Sequence, residues 1–172
     1  SQELGAPLGN HHLHDIRYDP YEDLIWVSLG DTPKYSMVYY SADRGETWYQ
    51  VADYGNAPLQ STIIIPLPEC VLFVSDASIT GVTRYNRPET GTPVGSYLNF
   101  EIAYIAETHR TDTAGEVPIA ATPHIDYNRG VAYFGWAILP AAENGGERLK
   151  RAQVFATDGY RFYNIWRSNE KM

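Results

Sequence analysis

The stretch Ser41-Ala42-Asp43-Arg44-Gly45-Glu46-Thr47-Trp48 constrains the fold more than any other in the chain. It separates two runs, 35–40 and 47–54, whose aromatic and β-branched residues read as strands. A short acidic side chain in such a turn accepts bonds from backbone N–H groups that the strands leave free. Gly45 supplies a positive φ where another residue would be strained. Trp48 is expected to start the next strand and to offer a large apolar face that anchors the hairpin on its neighbour. A hairpin so pinned needs another sheet to cover it.

The rest of the chain repeats this plan. Residues 1–10, with Gly and Pro, read as an arm or linker. Strands are expected at 12–19, 24–29, 37–40 and 47–52, joined by turns such as Asp19-Pro20. The same order recurs at 61–66, 70–75, 81–85 and 96–106, the last after a Pro/Gly-rich loop at 86–95. A third round runs through 122–127, 131–138, 151–156 and 162–166. The expected architecture is all-β: one domain, 11–172, of about three four-stranded antiparallel blades at 11–56, 57–112 and 113–170. The alternative is a β-sandwich, with the same strands stacked as two sheets.

The box, with His14-Asp15-Ile16-Arg17-Tyr18-Asp19-Pro20 and Leu24-Ile25-Trp26-Val27-Ser28-Leu29-Gly30-Asp31 before it, resembles the BNR or Asp-box repeat of sialidase-like β-propellers. Thr157-Asp158-Gly159 followed by Phe162 looks like a worn copy of the box. The resemblance covers the first 50 or so residues well and 119–167 weakly. It implies a propeller, and it assigns Ser41, Asp43, Gly45, Thr47, Trp48, Asp158 and Gly159 to architecture. Because propellers close with about 4–8 blades, three blades imply a second copy or the remainder of a longer chain. For function it implies a non-catalytic recognition or assembly module for glycan or protein, such as a surface, virion or adhesin component. A glycoside hydrolase of sialidase type is the alternative. Sialidases, however, carry a Phe/Tyr-Arg-Ile-Pro element near their start, and none occurs here. Arg17, Arg84, Arg87 and Arg110 read as ordinary surface residues.

Charge narrows the partners. The formal net charge is -8, and no Lys/Arg cluster is present, which argues against duplex nucleic acid. No run is long and apolar enough to span a membrane. The single cysteine, Cys70, lies in an apolar run and reads as a buried structural thiol.

Three sets of residues are candidates for chemistry. His12 and His14 share one face of a strand, and with Asp15 they form the set that a divalent metal would use. Ordinary hydrogen bonding in a channel or interface is the alternative. Asp31 and Asp76 each follow an apolar strand, as turn caps or as paired carboxylates of a glycoside site. Tyr85 and Tyr97 flank the 86–95 loop and are expected to face a ligand.

Overall fold

The computed structural model of the chain describes residues 13–30, 36–53, 61–75, 81–88, 99–105, 117–120, 122–139 and 151–168. Among these there is no α-helix, and so none long and apolar enough to cross a membrane. The first sheet has the order β1 (Leu13–Asp19), β2 (Leu24–Leu29), β3 (Met37–Ser41), β4 (Tyr49–Asp53). The second has β5 (Ser61–Pro66), β6 (Cys70–Ser75), β7 (Gly81–Asn86), β8 (Phe100–Ile105). In the third, β9 (Val117–Ala120) and β10 (His124–Asp126) both pair with β11 (Val131–Leu139), which leads to β12 (Arg151–Thr157) and β13 (Phe162–Arg167). Every pairing is antiparallel between chain neighbours, except that β9 skips β10.

The three sheets stack in a propeller-like arrangement, with the second in the middle. Alternation along each of its strands therefore buries both faces. Ile64, Val71, Phe73 and Tyr85 pack against Leu24 and Trp26 of the first sheet. Ile65, Leu72, Val74 and Val82 pack against Phe134 and Phe155 of the third. This is why β6 is apolar at five successive positions and buried along its whole length. The alternative of two stacked sheets gives way to three layers with two cores.

Contact between the first and second sheets is closest at their first strands. β1 lies against β5. As the edge of its sheet, β5 has N–H groups with no strand partner, and the Asp15 carboxylate accepts from Ile64 N at 2.9 Å. Two local expectations shift. Strand β4 begins at Tyr49, because Thr47 and Trp48 belong to the preceding turn. The first strand of the third sheet is split into β9 and β10, and Pro123, which lacks an N–H, sits at the break.

The middle sheet's burial predicts the cost of hollowing it. Phe73→Ala is expected to lower the unfolding free energy by about 3–5 kcal/mol, measured by urea denaturation, since it opens a void against Leu24 and Trp26 of the first sheet.

Candidate functional site

Two turns hold the hairpins at one end of the stack. In the first, Ser41 Oγ donates to Asp43 Oδ1 at 2.8 Å and accepts from Gly45 N at 2.8 Å. Asp43 Oδ1 also accepts from Thr47 N at 2.7 Å. That backbone bond, with the Thr47 and Ser41 hydroxyls, holds the Asp43 carboxyl below its ordinary range. Gly45 has φ +96°, and the Trp48 indole lies 3.7 Å from where its Cβ would be. Trp48 thus covers its own turn instead of opening the next strand.

The second turn repeats the chemistry. Thr157 Oγ1 accepts from Gly159 N at 2.9 Å, in the role of Ser41. Asp158 Oδ1 accepts from Arg161 N at 2.8 Å and Tyr160 N at 3.0 Å, and these bonds lower its pKa. Gly159 has φ +100°, and a Cβ there would lie 2.4 Å from Cys70 Sγ and 3.3 Å from Leu67 Cδ1. So this glycine serves both the turn and the contact between the second and third sheets. Burial pushes the Cys70 thiol up to about 12, which leaves it a core residue.

The histidine and acid of β1 are engaged in joining sheets. His14 Nδ1 is 2.8 Å from the Ser61 carbonyl oxygen. Asp15 accepts from Ile64 N and, at 3.0 Å, from Arg17 Nε. Their companion His12 lies outside the described residues, as do Asp31, Asp76 and Tyr97. Among the described residues no three His, Cys, Asp or Glu side chains cluster as metal ligands. Tyr85 is described, and its expected role changes. It is 0% exposed, with its ring 5.2 Å from Trp26 and 5.0 Å from Phe100. Its place on β7, opposite Val71, turns it inward, so it does not face a ligand.

Two arginines expected at the surface prove to be clamps. Arg87 Nη1 and Nη2 reach the two oxygens of the fully buried Asp19 at 2.7 and 2.9 Å. Arg87 also donates to Leu67 O and Pro68 O, and forms an ion pair with Glu22 at 2.7 Å. Asp19 Oδ2 accepts from Trp26 Nε1 as well, at 3.1 Å. This network ties the β1–β2 turn to the β5–β6 turn. Arg84 joins the second sheet to the third, donating to Gly159 O at 3.0 Å with its guanidinium 4.3 Å from the Tyr160 ring centre. It also pairs with Glu101. Both side chains are long enough to cross between sheets, a feature that chain position alone does not reveal.

Large apolar side chains stand among the exposed residues of the two outer sheet faces. On the first sheet's outer face, Ile16 lies beside Val27, with Tyr39 on Val27's other side, and Tyr18 lies beside Ile25. On the third sheet's outer face, Tyr163 lies beside Ala156, with Tyr133 on Ala156's other side, and Trp166 lies beside Val154. Ile16, Tyr18, Tyr163 and Trp166 are 51–55% exposed. Patches of this kind mark surfaces that meet other molecules. Comparison with known proteins finds no matching family model, no matching curated protein and no matching solved structure.

Two measurements test the turns. Gly159→Ala is expected to destabilise by about 2–4 kcal/mol, combining backbone strain with overpacking against Cys70, while Gly45→Ala, with room for a methyl, costs less. For Asp43 the folded-state pKa is depressed, so its stabilisation is complete above the ordinary carboxylate value and is lost as pH falls through the folded one. Thermal midpoints of wild type and Asp43→Asn should therefore differ at neutral pH and begin to approach one another only as the pH falls below about 4.

Proposed function

We propose that the chain is a recognition and assembly module that works through the outer faces of its first and third sheets. The observation that carries this reading is the division of labour among side chains. The described acids Asp15, Asp19, Asp43 and Asp158 are bonded to backbone or arginine within the fold. The large apolar residues Ile16, Tyr18, Tyr163 and Trp166 point outward on two faces. Aromatic faces suit either a protein surface or a sugar ring, and their burial supplies the binding energy.

The test has two arms: a glycan array probed with the labelled chain, and sedimentation of the chain alone. Binding in either arm that drops about tenfold or more when Tyr163 and Trp166 are both replaced by Ser supports the proposal. Absence of binding in both arms overturns it. So does binding untouched by substitutions on either face, or turnover of a chromogenic glycoside by the purified chain.

A further inference from the structure

The two open faces are unlike, and the stacking inside the chain says how they relate. Each sheet can be indexed from its first-turn pair: Asp19 with Leu24, Leu67 with Cys70, and Asp126 with Val131. One residue after these come Ile25, Val71 and Ala132; three after come Val27, Phe73 and Phe134. Call this the back of each sheet. Two residues after come Trp26, Leu72 and Tyr133, on the front. The front of the first sheet, with Trp26, packs on the back of the second, with Val71 and Phe73. The front of the second, with Leu72, packs on the back of the third, with Ala132 and Phe134. The chain therefore makes the same front-on-back contact twice.

One back and one front are left over. The spare back belongs to the first sheet, where Ile16 and Tyr18 flank Val27 and Ile25. The spare front belongs to the third, where Tyr163 and Trp166 lie opposite Ala156 and Val154, with Tyr133 beyond Ala156. Both carry large side chains more than half exposed.

We infer that the partner of these faces is a second copy of this chain, seated head to tail. The front of each copy's third sheet covers the back of the other's first sheet. Three sheets from each of two copies give six, inside the range of about 4–8 over which such rings close. Two identical contacts then satisfy all four faces, and the pairing stops at two copies because no face remains. This deepens the assembly reading above and rests on it. The two fail differently: a monomer that binds glycan through Trp166 keeps the assembly and recognition reading and removes the second copy.

The experiment uses two double variants of the 172-residue chain. One blocks the back (Ile16→Glu with Tyr18→Glu), and the other blocks the front (Tyr163→Glu with Trp166→Glu). Wild type is expected to sediment with the mass of two chains, and each variant alone with the mass of one. Mixed in equal amounts, the variants are expected to form a two-chain species, because one unblocked front meets one unblocked back. That species should be about tenfold or more weaker than wild type, having lost the second, intramolecular contact. Placing Glu on both variants excludes rescue by opposite charges. Three results overturn the inference: a monomeric wild type, a wild-type mass above two chains, or one variant that still dimerises alone, which means like faces pair. Circular dichroism melts establish that the variants fold. If a pair of glutamates unfolds the chain, Ile16→Ser and Trp166→Ser repeat the scheme with the same outcomes.

Discussion

Burial of one sheet on both faces is the constraint from which the rest of this structure follows. A single antiparallel sheet can cover one face with polar residues and leave it in water. The second sheet does not have that choice. With Phe73 and Tyr85 on one side and Leu72 and Val82 on the other, it has no stable existence without two neighbours. The first and third sheets each turn one face to it, and on the other face each carries large side chains more than half exposed, Ile16 and Tyr18 on one and Tyr163 and Trp166 on the other. The exposed aromatic residues are thus consequences of the stacking rule and not isolated surface features.

Polar chemistry in the fold serves that stacking. Asp15 fills the vacant acceptor role beside the β5 edge. Arg87 brings its charge into the seam between turns, where its bidentate bond to Asp19 is matched by further acceptors at Leu67 and Pro68. A buried carboxylate costs several kcal/mol of desolvation unless so matched, with roughly 3–5 kcal/mol lost when one partner is removed. The Trp26 indole completes the set, since its N–H is buried with the ring and finds Asp19. Such a network adds direction to a contact that apolar packing alone leaves free to slide.

Strand order and the positions of most turns were legible in the sequence because they depend on local signals: alternation, Gly with positive φ, and Asp in turns. The apolar run 70–74 was legible as a strand with a buried thiol, and its cover on both faces emerged only with the stacking. What depended on the third dimension was less accessible. Tyr85 borders a loop in the sequence, yet the register of β7 turns it into the core. Arg87 looks like any surface arginine until Asp19, distant in the chain, is brought beneath it. His14 and Asp15 look like ligands because the residue types fit, whereas the neighbouring edge strand gives both another employment. Trp48 fits the start of a strand by composition, but its indole lies back over the turn, in van der Waals range of where a Gly45 Cβ would be.

The glycine at 159 shows how tightly the local and the long-range requirements are joined. The turn needs a residue with φ near +100°, which selects glycine on backbone grounds alone. The packing needs an absent Cβ, because Cys70 of the middle sheet occupies that position. Gly45 answers the same backbone requirement, and among the described residues its neighbour is Trp48 of its own turn. The two related turns therefore differ in what lies beyond them: one abuts the middle sheet, and the other is closed off locally. Both turns join a hydroxyl, an acid and a positive-φ glycine through local hydrogen bonds, but at different spacings, Ser41, Asp43 and Gly45 in one and Thr157, Asp158 and Gly159 in the other.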